Sequence, residues 1–169
     1  FLTEITGISP ELDGLELRVL EFGSQLELSN RSGEDVVVLG YLGEPYLRIG
    51  EAGVFENGRS PATYINADRQ GQTTVPEEAQ DTDAETPPDW RKASDASTAR
   101  WHDHRVHWMG SETPPAVQRD SSRAQVIYPN WVVPLRAGDR DVEVTGTLTW
   151  VPGPSRWPWL GAAAAVAVL

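Results

Sequence analysis

The segment Val142–Trp150 constrains the fold most strongly, because its side chains alternate in character over nine residues. Every second residue is apolar or glycine, and the residues between are glutamate or threonine. Successive side chains of a β-strand point to opposite faces of a sheet, so this pattern predicts a strand with one buried and one solvated face. We expect Val144, Leu148 and Trp150 to lie inward.

Shorter segments of the same kind, separated by turn residues, run through most of the chain. Fifteen Gly, thirteen Pro and seven Trp suit a β-rich, turn-rich protein, and helical periodicity is absent. The strands expected from alternation and apolar runs include 15–19, 26–28, 36–39, 62–66, 125–128 and 131–136. Gly138 and Asp139 predict a hairpin turn, and Pro134 predicts an edge strand or a bulge. About nine or ten strands predict an all-β, antiparallel sandwich of immunoglobulin-like or cupredoxin-like type.

The length of 169 residues suits one domain, which we place at residues 1–154. Residues 70–98 interrupt the strand pattern, because acidic residues alternate there with Gln, Thr, Ala and Pro and no apolar face can be drawn. This composition predicts a solvated loop insertion, mobile and open to proteases over residues 75–89.

The run Trp157–Leu169 contains no charged residue, and as a helix it reaches about 20 Å of the roughly 30 Å needed to cross a bilayer. Trp157 and Trp159 stand at its start, where aromatic anchors of membrane helices lie. We interpret 157–169 as the beginning of a transmembrane helix. With a signal peptide removed ahead of Phe1, the domain would lie on the extracytoplasmic side of the cell membrane.

Composition excludes several function classes. The formal net charge of −11 disfavours a nucleic acid partner, and the lack of cysteine excludes disulfides and thiolate chemistry. Ser60 lies in Gly58-Arg59-Ser60-Pro61, which lacks the glycine and the following helix of a nucleophile elbow. We therefore expect no enzyme activity, and a hydrolase with unassigned catalytic residues is the third alternative.

All three histidines fall between residues 102 and 107, with the single methionine close behind them. On a strand, His102 and His104 would share one face about 6 to 7 Å apart, near enough to bind one metal ion. His107 and Met109 would join them only across a bulge or turn. Imidazole and thioether ligands suit copper, and imidazole with carboxylate suits zinc.

A second interpretation of this segment is structural, and a third is a catalytic or ligand-binding role. Asp103, with the arginines and histidines around it, can form a charge-assisted hydrogen-bond network beneath the tryptophans.

The strings Gly40–Ile49, Ser60–Tyr64 and Arg100–Gly110 resemble a group of uncharacterised actinobacterial proteins. The resemblance implies a single-pass membrane protein with one extracytoplasmic domain. A looser likeness to periplasmic copper-resistance sandwich domains rests on the β pattern and on the segment with His and Met. Together these observations predict a membrane-tethered interaction or structural module with a protein partner or membrane complex, and metal binding is the alternative.

Overall fold

A computed structural model describes residues 1–154, and the predicted membrane segment 157–169 lies outside them. The described chain is mostly β, with ten strands in two antiparallel sheets and two short α-helices, α1 (Pro61–Ile65) and α2 (Pro115–Arg119). The strands are β1 (Leu2–Ser9), β2 (Leu15–Leu20), β3 (Gln25–Asn30), β4 (Val36–Leu39), β5 (Pro45–Gly50), β6 (Gly53–Asn57), β7 (Trp90–Ser94), β8 (Thr98–His102), β9 (Gln125–Ala137) and β10 (Arg140–Trp150).

The larger sheet has seven strands in the order β1-β10-β9-β4-β5-β6-β7, and the smaller has the order β2-β3-β8. One apolar core lies between them, with side chains from both sheets. Leu26 and Leu28 of the smaller sheet and Val38, Leu135 and Val144 of the larger are at most 1% exposed. The expected all-β, sandwich-like architecture is therefore confirmed.

Strand β10 confirms the alternation of Val142–Trp150 over most of its length. Val142, Val144 and Leu148 are buried, whereas Trp150 is only half-buried. The prediction that Trp150 is buried with them is wrong. The pairing of β10 with β9 shifts register on both sides of Leu148, so the last residues of the strand leave the core face.

Residues 62–66, expected as a strand, form helix α1 instead. The Ser60 side chain accepts a hydrogen bond from the Ala62 amide, and Pro61 occupies the first helical turn. A serine cap followed by proline is a standard beginning of a helix. The helix is too short for its apolar periodicity to appear in the sequence.

Residues 125–137 form one continuous strand, although Pro134 indicated an edge or a bulge. β9 lies inside the large sheet, between β10 and β4. Its pairing with β4 covers only Leu135 to Ala137. Pro134 therefore stands just beyond that pairing, where the missing amide proton removes no hydrogen bond to β4.

The connections between strands divide the molecule into two ends. One end, which we call the turn end, carries the five short connections 10–14, 31–35, 51–52, 95–97 and 138–139. The opposite end, the loop end, carries the connections 21–24, 40–44, 58–89 and 103–124, together with Phe1 and residues 151–154. Asn30 joins the two sheets at the turn end through bonds from its side chain to the carbonyls of Glu34 and Ile49.

The loop predicted over residues 70–98 ends earlier in the structure, at Asp89. Its last residues form β7, which pairs with β6, and Thr98 begins β8. Within the loop, Ala79 is fully buried and Thr82 is 4% exposed. The Thr82 hydroxyl donates to the Arg59 carbonyl at 2.7 Å, so the loop is held to the domain at its centre.

Candidate functional site

The loop end is built around the buried carboxylate of Asp103, which follows directly after β8. Asp103 is 0% exposed and accepts hydrogen bonds from the Trp101 indole at 2.9 Å and from the Arg105 guanidinium at 2.7 and 2.8 Å. It also accepts the Arg105 amide at 3.1 Å. Because one carboxylate receives side-chain and main-chain donors together, the chain turns at this residue and the strand ends.

Arg105 extends the network to a second loop. Its guanidinium donates to the Leu39 carbonyl at 3.1 Å and lies 5.0 Å from the centre of the Tyr41 ring. Burial alone lowers the pKa of Arg105, but the bonds and charge of Asp103 outweigh that effect and raise it. The Arg105 guanidinium therefore stays charged, and its bonds fix the segment after β8 to the β4–β5 connection.

A second buried carboxylate, Glu44, holds the β4–β5 connection to α1. Glu44 is 0% exposed and accepts the Ser60 hydroxyl at 2.6 Å and the Leu42 amide at 2.9 Å. A Cβ atom at Gly40 would overlap the Glu44 carboxylate, so a larger residue there would displace that carboxylate from its bonds. Ser60 thus serves as helix cap and as donor to Glu44, buried and structural in both roles.

Asn57 and Asn66 lie on either side of α1, and their side chains also hold neighbouring segments together by hydrogen bonds. Asn57 is 0% exposed, donates to the Pro45 carbonyl at 2.6 Å and accepts the amides of Arg59 and Asp89. The Tyr41 hydroxyl donates to Asn66 and accepts the His104 amide at 3.2 Å. Burial raises the pKa of Tyr41, which keeps this hydroxyl protonated.

The three histidines do not gather in one place. His102 ends β8, and its ring contacts the Ser24 carbonyl at 3.1 Å and the Gln25 side chain at 3.2 Å. His104 lies beyond the end of the strand, and its Nε2 donates to the Asp68 carbonyl at 3.1 Å. The expectation that His102 and His104 share one strand face is wrong, because the Asp103 turn ends the strand between them.

His104 and His107 are neighbours, with ring centres 5.3 Å apart and ring planes nearly perpendicular. His107 is 8% exposed, and its Nε2 has no hydrogen-bond partner among the described residues. Burial lowers its pKa. His107 and the half-exposed Met109 line one cavity of about 320 Å³ together with Trp108 and Arg69.

The structural network expected around Asp103 is confirmed for Trp101 and Arg105 and does not extend to the histidine rings. In residues 1–154, no group of three His, Asp or Glu side chains is placed to hold a metal ion. Of the predicted ligands, His107 contacts His104 and shares a cavity with Met109, whereas His102 contacts Ser24 and Gln25. The sequence interpretation missed Glu44, Asn57 and Asn66, which carry no periodic signal, whereas Ser60-Pro61 was a visible helix signal.

Comparison with known proteins gives no match to a family model, to a curated protein or to a solved structure. Among the helices of residues 1–154, none has the length and apolar character needed to cross a membrane. The structural features that bear on function are therefore the side-chain network and the histidines of the loop end.

Proposed function

We propose that the protein is a non-catalytic, membrane-tethered module on the extracytoplasmic side of the cell membrane, which binds a protein partner within a membrane complex. We assign its two sheets to an immunoglobulin-like or cupredoxin-like sandwich. The observation that carries the proposal is the bracing of the loop end by the buried carboxylates of Asp103 and Glu44.

Binding modules generally present loops on a rigid sheet scaffold. Here the connections 40–44, 58–89 and 103–124 meet at one end, and the buried side chains tie each of them to another. The charged groups best placed for chemistry, Asp103, Arg105 and Glu44, are engaged in these hydrogen bonds. A surface fixed in this way loses little conformational entropy on binding, which favours recognition of a protein surface.

The tether is supported by the charge-free run Trp157–Leu169 and by the resemblance to single-pass actinobacterial proteins. In the full-length natural protein, resistance to carbonate extraction tests it. We expect the protein to stay in the membrane pellet and a variant with Ala163→Arg and Val166→Arg to be released. Release of the unmodified protein would contradict the tether.

Site-specific photocrosslinking in cells tests the partner. A photoreactive residue replaces Gln72 or Ser111 at the loop end, or Asp139 at the turn end as the matched control. We expect one discrete adduct from each loop-end position and none from position 139. Adducts from neither end, or the same adducts from both ends, would contradict a loop-end partner.

Metal binding is the alternative proposal, and the shared cavity of His107 and Met109 favours it. His104 contacts His107 and completes the cluster, whereas His102 is engaged with Ser24 and Gln25. Arg69 lines the same cavity, so a monovalent copper ion fits this set of ligands better than divalent zinc.

Titration of the detergent-solubilised protein with Cu⁺ and with Zn²⁺ tests the alternative. We expect saturable Cu⁺ binding that His107→Ala and Met109→Leu each weaken at least tenfold, with His102→Ala as the matched control that leaves it unchanged. Absence of binding tighter than millimolar for either ion would end the metal proposal.

A further inference from the structure

Exposed apolar side chains are distributed unevenly over the surface. Among the described residues, all seven large hydrophobic side chains that are exposed lie at the loop end: Phe1, Leu2, Phe22, Leu42, Met109, Val126 and Val151. Scattered exposed hydrophobics need no explanation, but confinement to one end of a domain marks an interaction surface.

The most compact part of this set crosses the outer face of the large sheet. Leu2 pairs with Thr149, and Thr149 pairs with Val126, so the three side chains stand in one row on the same face. Leu2 is 45% exposed and Val126 is 59% exposed. We call Leu2, Val126 and the adjacent Val151 the apolar row.

The turn end has the opposite character. Its five connections carry seven exposed carboxylates and none of the exposed large hydrophobic residues: Glu11, Asp13, Glu34, Asp35, Glu51, Asp95 and Asp139. Exposed carboxylates occur at both ends, whereas the large exposed hydrophobic side chains of the described residues are confined to the loop end.

The chain leaves the described domain beside the apolar row. Val151 follows β10 directly and is 47% exposed. Six residues later, at Trp157, the charge-free run begins. Even a fully extended chain covers at most about 20 Å over six residues. The apolar row therefore lies close to the point where the proposed tether would enter the bilayer.

The acidic loop ends at the opposite edge of the large sheet. Residues 77–89 lead into β7, and β7 and β1 are the two opposite edges of the large sheet. The row lies on β1, β10 and β9, so the β1 edge can approach lipid headgroups while the carboxylates of the β7 edge stay in water. The position of the tether and the position of the acidic loop both favour a domain orientation with the β1 edge toward the membrane.

We propose that the apolar row rests in the interfacial layer of the lipid bilayer, with the β1 edge toward the membrane and the turn end away from it. This inference rests on the proposed membrane tether. Leu2, Val126 and Val151 insert among the headgroups, and the contact limits the tilt of the domain on its linker. The contact is apolar, so it persists at high salt and on zwitterionic lipid.

Quenching by spin-labelled lipid tests the orientation, and the cysteine-free chain makes single labels unambiguous. The full-length protein is placed in phosphatidylcholine nanodiscs that contain lipid with a nitroxide at the headgroup. A fluorophore is attached at Val126→Cys, with Asp139→Cys at the turn end and Glu77→Cys in the acidic loop as controls.

We expect the nitroxide lipid to quench the label at position 126 at least threefold and the labels at 77 and 139 by less than a tenth. Replacing both Leu2 and Val151 with serine should reduce quenching at position 126 and leave membrane retention unchanged. Equal, weak quenching at all three positions in protein that stays membrane-bound would overturn the orientation and leave the tether intact. Failure to enter nanodiscs would instead contradict both proposals, and carbonate extraction would show the same failure.

Discussion

The two ends of the molecule are stabilised in different ways. At the turn end, the five connections are short, and most of their charged side chains are exposed. At the loop end, two of the four connections, 58–89 and 103–124, are long, and the buried carboxylates of Asp103 and Glu44 help to hold them in place. Short turns need little support, because their ends are fixed by strand pairing, whereas long loops need partners to remain ordered. Among the described residues, the two carboxylates that are 0% exposed, Asp103 and Glu44, both lie at the loop end.

Removal of the Asp103 carboxylate should produce the largest effect. Asp103→Ala leaves the partly buried Arg105 guanidinium without its carboxylate partner, and we expect a loss of about 3 kcal/mol in the free energy of unfolding. Urea denaturation measures it. Asp139→Ala at the turn end is the matched control, with an expected change within about 0.5 kcal/mol. Equal effects of the two variants would contradict the conclusion that the two ends are stabilised in different ways.

Loss of the Ser60 hydroxyl should produce the next largest effect. Ser60→Ala removes one donor from the buried Glu44 carboxylate and the cap of α1, and we expect a loss of about 1 to 3 kcal/mol. Ser122→Ala is the control, because its hydroxyl bonds to Asp120 at the surface. Thermal unfolding compares them. A loss in Ser60→Ala no larger than in the control would mean that Glu44 does not depend on this bond.

The acidic loop tests whether a single hydrogen bond keeps a long loop ordered. Thr82→Val removes the bond to the Arg59 carbonyl, a loss of about 1 kcal/mol, and we expect proteases to cleave within 75–89 several times faster. Thr86→Val breaks only two exposed bonds with Asp83 and should leave the cleavage rate unchanged. If the unmodified protein is already cleaved at the maximal rate, the loop is mobile as its composition predicts, and the Thr82 bond does not hold it.

A smaller effect is expected from His107 as the pH falls. Burial keeps the folded-state pKa of His107 below its ordinary value of 6.5, so the unfolded chain binds a proton more readily. The stability contributed by neutral His107 is complete above pH 6.5 and decreases below it. His107→Gln should flatten this part of the pH–stability curve. Parallel curves for the unmodified protein and His107→Gln would contradict the assignment.

The sequence predicted the elements whose packing is periodic. Val142–Leu148 and Leu15–Leu20 were found because one face of each strand is buried against the core. The Trp150 error arose from register shifts, which depend on the partner strand and leave no mark in the alternation of β10 itself.

The candidate site was harder to predict than the strands. The Asp103 network was visible as a cluster of residue types, but the same cluster also suggested a metal site. The choice between them depends on the turn at Asp103, which directs His102 and His104 to different neighbours. Glu44 gave no signal at all, because a buried glutamate and a solvated one are identical in sequence. Only tertiary structure brings it to Ser60.

The most direct test of the account compares hydrogen exchange at two amides with the same local bond. The Arg105 amide donates to Asp103 at 3.1 Å at the buried loop end, and the Glu85 amide donates to Asp83 at 3.0 Å in the exposed loop. If buried carboxylates brace the loop end, the Arg105 amide should exchange only through large-scale unfolding, and the Glu85 amide at nearly the rate of an unstructured peptide. Similar, fast exchange at both amides would contradict the account, because the loop end would then open as freely as an unsupported loop.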